Sequence, residues 1–240
     1  KLAPGIYEAD LIVDAGPVAG SGTARIRLEV TQFVPPPPLP PAIRSAVNAA
    51  TFQAGPMAPG SIGTLFGARF TGSGLSVTFD GLPARVLFSK EDQINLLVPA
   101  ELAGRSAAQV VVKAGGLTSA PLSVALTAIA PGIFGTLNQD YSINSANNPA
   151  AVGAIVQVFA TGLPAAGPFY GPIILARVHD REPATPLWAG SAPGFVGLQQ
   201  VNVWIPDDLP AMTTDIRVCA YAPERPAELI CSPPSRITLR

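Results

Sequence analysis

Gln93-Ile-Asn-Leu-Leu-Val-Pro-Ala-Glu-Leu102 returns later in the chain as Gln200-Val-Asn-Val-Trp-Ile-Pro-Asp-Asp-Leu209, keeping the Gln, the Asn, the Pro and the alternation of apolar residues. Period-two alternation is the mark of a strand with one buried face, and its recurrence marks a duplicated module. Ile94, Leu96 and Val98, like Val201, Val203 and Ile205, fall on one side of such a strand. Gln93 and Asn95, like Gln200 and Asn202, fall on the other, where they are expected to bond to loops. Trp204 shares this polar side, and the first copy has Leu97 in its place. A large aromatic there either packs under a Pro-rich loop or the other module, or offers a contact for sugar or protein.

Working outward from the first copy, strands are expected at Ser61–Phe70, Leu75–Phe79, Ala84–Phe88, Ala107–Lys113 and Pro121–Thr127, separated by Gly- and Pro-bearing turns. Around the second copy they are expected at Val152–Ala160, Pro172–Val178, Thr214–Tyr221, Glu228–Cys231 and Ser235–Leu239. With no convincing helical period, the expected fold is all-β. Two tandem immunoglobulin-like antiparallel β-sandwiches, residues 43–129 and 130–240, follow a β-hairpin and a polyproline linker.

The hairpin occupies residues 1–33. One apolar side, carrying Tyr7, Leu11, Val13, Ile26, Leu28 and Val30, is a candidate assembly surface, because a lone two-stranded ribbon is marginal in water and that side needs a cover. The hairpin is either the end of an upstream immunoglobulin-like domain or an arm exchanged between subunits. Residues 34–42, dominated by prolines, are expected to form a stiff extended spacer.

Composition excludes several function classes. The chain has 240 residues, 48% of them hydrophobic and only 13% charged, with 23 glycines and 27 prolines, so it can bury a core and is dense in turns. Fifteen Lys and Arg against sixteen Asp and Glu leave no basic surplus for nucleic acid. The longest apolar stretch, Pro149–Ala160, is well short of the ~20 residues of a membrane-spanning helix. The chain opens on Lys1 with no apolar leader, as expected of a processed chain or a fragment.

The order of short motifs carries a resemblance. Asn48-Ala-Ala-Thr-Phe-Gln53, Ala58-Pro-Gly-Ser61, Gly81-Leu-Pro-Ala84, Gln93-Ile-Asn95 with Val98-Pro99, Ala130-Pro-Gly-Ile-Phe134, Asn147-Asn-Pro-Ala150, Ala160-Thr-Gly162 and Ala192-Pro-Gly-Phe-Val-Gly-Leu198 together resemble the Solibacter-type C-terminal domain of large secreted acidobacterial proteins, over residues 45–240. Each half also resembles the immunoglobulin-like IPT/TIG module. Residues 1–33 look like the last two strands of a BACON-like domain. The resemblance implies an extracellular protein and brings no catalytic residues with it. Cys219 and Cys231 depart from the apolar or small residues it leads one to expect.

Candidate chemistry is sparse. A hydrolytic triad would have to use His179, the sole histidine, and no GxSxG elbow is present. His179 reads as a solvated loop residue, and the adjacent pairs Glu91-Asp92 and Asp207-Asp208 read as turn formers instead of facing catalytic carboxylates. Asn138, Asp140, Ser142 and Asn144 place oxygens on alternate residues, as a calcium loop would, yet carry one carboxylate among them; a hydrogen-bonded turn is the favoured reading. Cys219 and Cys231 are equidistant from Arg225 and are expected to form a disulfide, with two buried free thiols as the alternative. No cofactor is expected.

The favoured expectation is a non-enzymatic, extracellular structural or adhesive protein, secreted or held at the cell surface. It would associate with other copies of itself, head to tail into a filament, through the hairpin. The rival is an accessory domain of a large secreted hydrolase that binds or anchors to polysaccharide, for which Trp188, Trp204 and Tyr170 are the candidate contacts, with Trp188 and Tyr170 expected in loops.

Overall fold

In the computed structural model, residues 2–14, 16–164, 174–222 and 225–240 are described. They form two compact units, Lys1–Pro38 and Leu39–Arg240.

The first unit is a two-stranded ribbon of β1 (Gly5–Asp14) and β2 (Ser21–Val30), in register from Gly5 opposite Val30 to Asp14 opposite Ser21. This pairing puts Tyr7 across from Leu28, Ala9 from Ile26 and Leu11 from Ala24, so all six expected surface residues share one face. Every residue of β1 is exposed, Leu11 at 52%, and Leu28 of β2 is 50% exposed. On the other face Asp10 meets Arg25 at 3.3 Å, an exposed ion pair worth under ~1 kcal/mol. The strands reach further into the glycine-rich connection than its composition suggests. What remains holds a single helical turn, α1 (Gly16–Ala19), where the Gly16 N–H donates to Asp14 Oδ1 and the Gly20 N–H to the Gly16 carbonyl. Residues 34–41 are neither helix nor strand.

The second unit contains two sandwiches. The first is built from β3 (Ala42–Asn48), β4 (Ile62–Ala68), β5 (Ser76–Phe79), β6 (Leu82–Lys90), β7 (Gln93–Leu97), β8 (Ala107–Ala114), β9 (Leu117–Thr118) and β10 (Leu122–Ala125). They hydrogen-bond antiparallel in the order β10-β8-β5-β6-β7-β4-β3, with β9 beside β8. The long β6 pairs with β5 through Leu82–Ala84 and then with β7 through Arg85–Lys90, so it passes from one layer to the other. Between the layers Leu65, Phe70, Phe79, Ile94, Leu96, Val110 and Val112 are completely buried. Each such side chain contributes about 1.5–3 kcal/mol.

The second sandwich comprises β11 (Gly132–Leu137), β12 (Ile155–Thr161), β13 (Ile174–Val178), β14 (Trp188–Ser191), β15 (Gln199–Trp204), β16 (Thr213–Ala222), β17 (Arg225–Cys231) and β18 (Ser235–Thr238). One sheet runs β11-β12-β15-β14, and the other runs β13-β16-β17 with β18 also on β16. Its core is a separate cluster that includes Val156, Val158, Val201, Val203, Ile205, Ile216, Val218 and Ile237. β7 and β15, the repeated stretch, lie at corresponding places in the two sandwiches: each pairs with a seven-residue strand of its module, β4 or β12. Cys219 stands directly opposite Cys231 on β16 and β17, and the two form a disulfide.

Polar contacts join the sandwiches within this unit. Asn48 Nδ2 donates to the Ala130 carbonyl at 2.9 Å. The Ile62 N–H donates to Thr161 Oγ1 at 2.8 Å, and that hydroxyl donates to the Gly197 carbonyl at 2.8 Å. Gly197 has φ +79°, and a Cβ there would come within 2.4 Å of Leu97 Cδ1 and 2.9 Å of Ile62 Cγ1, so only glycine lets this loop lie on the first sandwich.

Candidate functional site

Residues opposite one another in an antiparallel ladder share a face, so the register assembles the outer surface of the second sandwich. Trp188 stands opposite Asn202, and Gly190 opposite Gln200. Across the other side of β15, Asn202 faces Gln157, Gln200 faces Phe159 and Trp204 faces Ile155. Trp188, Trp204, Gln200, Asn202, Gln157 and Phe159 therefore lie on one surface, and none of its described ladder positions carries a charge. Trp188 is 44% exposed and Trp204 47%. Trp188 belongs to β14, not to a loop as its surroundings in the sequence suggest; the strand is only four residues long and its Ala189-Gly190 centre is a poor strand former by composition.

Both indoles are held in place. A Cβ on Gly190 would come within 2.8 Å of Trp188 Cζ2 and 3.0 Å of Cη2, which shows the ring lying back over that glycine. Trp204 Nε1 donates to the Gly153 carbonyl at 3.1 Å. Between them Gln200 Nε2 donates to Asn202 Oδ1 at 2.8 Å. In the first sandwich Gln93 Nε2 does the same to Asn95 Oδ1 at 2.9 Å, and Thr64 Oγ1 adds a second donor at 3.0 Å. The paired amides thus bond along their own strand and not to loops, because residues two apart on a strand point the same way and are within reach. The loop bonds are made by the neighbour Gln199, whose Nε2 donates to the carbonyls of Leu163 and Pro164. Nδ2 of Asn95 and of Asn202 has no partner among the described residues. Gln157 is 6% exposed and its buried Oε1 has no partner among the described residues.

Beside this surface, at the join of the two sandwiches, Ile62, Arg85, Leu87, Phe134, Phe159 and Phe195 border a groove of about 470 Å³. Phe195 is 66% exposed and Phe134 43%.

The remaining candidates have local structural partners. His179 sits in the turn after β13 with φ +56°; its Nδ1 lies 2.8 Å from Thr214 Oγ1 and its Nε2 3.3 Å from Asp180 Oδ1. With a side chain 35% exposed it is half-buried and tethered to β16, less solvated than a loop residue is expected to be. Glu91 accepts from the Arg69 N–H and the Thr71 hydroxyl, Asp92 pairs with Lys90 and Asp208 with Arg181, so the adjacent carboxylates serve turns. Asn138, Asp140, Ser142 and Asn144 bond to one another: Ser142 donates its N–H and hydroxyl to Asp140 Oδ1, and Asn144 Nδ2 donates to Asn138 Oδ1. The Ser142 hydroxyl is the larger influence that holds the Asp140 carboxyl below the usual carboxylate range. Among the described residues no group of three or more His, Cys, Asp or Glu is placed to hold a metal ion. Tyr170 lies outside the described residues.

The sequence pattern missed Phe159, Gly190 and Gln157, whose part depends on which strands become neighbours. The ladder, not the local sequence, brings them beside Gln200 and Asn202.

No protein-family model matches the chain, and no curated protein matches it. Among solved structures it is similar to SGBP-B of the Bacteroides ovatus mixed-linkage glucan utilization locus, solved with a mixed-linkage heptasaccharide, at 13% identity and TM-score 0.39, over 100% of this chain and 54% of that one. It is also similar to the surface glycan-binding protein PbSGBP-B of Prevotella bryantii, at 15% identity and TM-score 0.29, over 80% of this chain and 41% of that one. The N-terminal Ig1-2 module of the Drosophila receptor protein tyrosine phosphatase DLAR matches at 16% identity and TM-score 0.27, over 84% of this chain and 100% of that one. The chain thus spans about half, or less, of the length of the two glycan-binding structures.

Proposed function

We propose that this chain is a non-catalytic extracellular protein that holds neutral polysaccharide on the outer face of its second sandwich. The observation that carries the reading is the pairing of two exposed, anchored indoles, Trp188 and Trp204, with the amides of Gln200 and Asn202 on one sheet face. The C–H face of a sugar ring is weakly positive and stacks on the negative face of an indole, while carboxamides supply both donor and acceptor to ring hydroxyls. No described ladder position of this face carries a charge, and Arg181 and Glu182, which border the hollow beside Trp204, are of opposite sign, which favours neutral chains over uronic acids. The Cys219–Cys231 disulfide supports an oxidising compartment. The motifs quoted above support a place in the Solibacter-type C-terminal domain family.

The test is affinity electrophoresis in gels containing hydroxyethylcellulose, xylan, galactomannan or soluble starch. Retardation in at least one, removed by Trp188→Ala and by Trp204→Ala with melting temperature unchanged, is the expected result. Equal mobility in every gel, or retardation indifferent to both substitutions, overturns the reading.

A second reading is self-association through the hairpin, favoured by the exposed apolar face of Tyr7, Leu11, Val13, Ile26, Leu28 and Val30. Two such ribbons stacked face to face would cover one another's apolar side chains. Sedimentation at rising concentration should show larger species for the native chain and not for Leu11→Asp/Leu28→Asp. A monomer throughout sinks this reading and leaves the first untouched.

A further inference from the structure

The first sandwich presents a related constellation, with Lys90 opposite Gln93 where Gly190 stands opposite Gln200, and with Arg85 opposite Leu97. Phe88 stands opposite Asn95 as Trp188 stands opposite Asn202. Phe66 stands opposite Gln93 as Phe159 stands opposite Gln200. The Gln-to-Asn side-chain bond recurs at 2.9 Å and 2.8 Å. We propose that this outer face of the first sandwich is a second polysaccharide-binding site, and that one polymer chain engages both faces; this inference rests on the reading of the Trp188 face given above.

Three observations carry it beyond a relic of duplication. Phe88 is 48% exposed, and the irregularity between Val86 and Phe88 leaves Leu87 40% exposed beside it, so neither serves the core. Phe52, 57% exposed, packs against Phe66 with ring centroids 5.9 Å apart, which widens the aromatic surface next to Gln93. The two faces also meet: Ile62 and Arg85 continue the Asn95 face and Phe159 continues the Asn202 face, and all three border the same groove. A polymer lying on one face can reach the other without leaving the surface. The position equivalent to Trp204 is Leu97, which lies under Gly197 at the join of the sandwiches, so the first face has one aromatic platform fewer and is the weaker of the two.

Occupancy of linked sites raises the apparent affinity for a long chain by a factor on the order of 10²–10⁴ over either site alone, and a short oligosaccharide gains nothing from the linkage. The experiment uses the full chain and two probes: the polymer that retards it in gels, and the matching hexasaccharide, whether cellohexaose, xylohexaose, mannohexaose or maltohexaose. Calorimetry should count two hexasaccharides per native chain, one for Phe88→Ala, one for Trp188→Ala and none for the double variant. Affinity for the polymer should fall about a hundredfold in either single variant, and Phe88→Trp should tighten the hexasaccharide at the weaker site. One site in the native chain, unaltered by Phe88→Ala and by Phe88→Trp, overturns this inference alone. Failure of Trp188→Ala to alter either probe overturns the reading beneath it.

Discussion

The indole of Trp188 lies over Gly190, two residues along the same strand, with Cζ2 2.8 Å from where a Cβ would stand. Gly190→Ala must therefore lift the ring, and the strand conformation itself accepts alanine. Expected is a melting temperature within a few degrees of native, with polysaccharide binding weakened about tenfold, since a stacked platform is worth roughly 0.5–1.5 kcal/mol. Tryptophan fluorescence and gel retardation measured on the same preparation check it; native retardation with a shifted emission would mean that the ring's position is immaterial.

Thr161 serves both sandwiches through one hydroxyl, accepting from Ile62 and donating to Gly197. Thr161→Val keeps the shape and leaves a buried N–H and a carbonyl unpaired. A loss of about 1–3 kcal/mol is expected, read by urea unfolding, together with faster amide exchange at Ile62. Protection at Ile62 equal to native would show that the amide has another partner.

Cys219 and Cys231 close a loop with a sequence separation of 12. Replacing both with alanine should cost at most about 3 kcal/mol on the chain-entropy account. Because β16 also pairs with β13 and β18, the fold should survive reduction. Thermal melts with and without reductant on native and variant chains decide this; a native chain that unfolds outright on reduction contradicts it.

Hydrogen bonds from Ser142 hold the Asp140 carboxyl below the usual carboxylate range. A carboxyl lowered in the folded state contributes stability that is complete above its unfolded value and lost as pH falls through the folded one. The turn at Asn138–Asn144 should thus keep its structure on acidification until below the range in which ordinary aspartates protonate. Carbon-detected NMR titration of Asp140 measures the midpoint, which Ser142→Ala should raise.

The repeated Gln-x-Asn stretch disclosed two sandwiches because alternation is local: Ile94 and Leu96, or Val201 and Val203, need no distant partner to declare which side is inward. Strands β3, β9, β11 and β14 do not declare themselves in this way, since their residues include Gly132, Gly135 and Gly190 and have little apolar alternation. Alternation puts Trp204 on the amide side, where the ladder has it, whereas the surroundings of Trp188 read as a loop. That Phe88 and Trp188 occupy corresponding places could not be read at all, since the two flank different turns and are matched only through Asn95 and Asn202.

Strand β6 belongs to both layers of the first sandwich and knits them into one continuous hydrogen-bonded network, whereas the described sheets of the second share no strand and are joined through connecting segments, at the Ala176–Ala184 and Ala150–Leu239 bridges and the Asn144–Thr238 bonds. The two copies, alike in outline, are consequently unequal under load. Sheets stitched by a shared strand must shear many bonds at once to separate, while sheets joined by short bridges in their connecting segments can part once those few bonds give. Heat or tension should breach the seam of the second module first, while the first module is still folded.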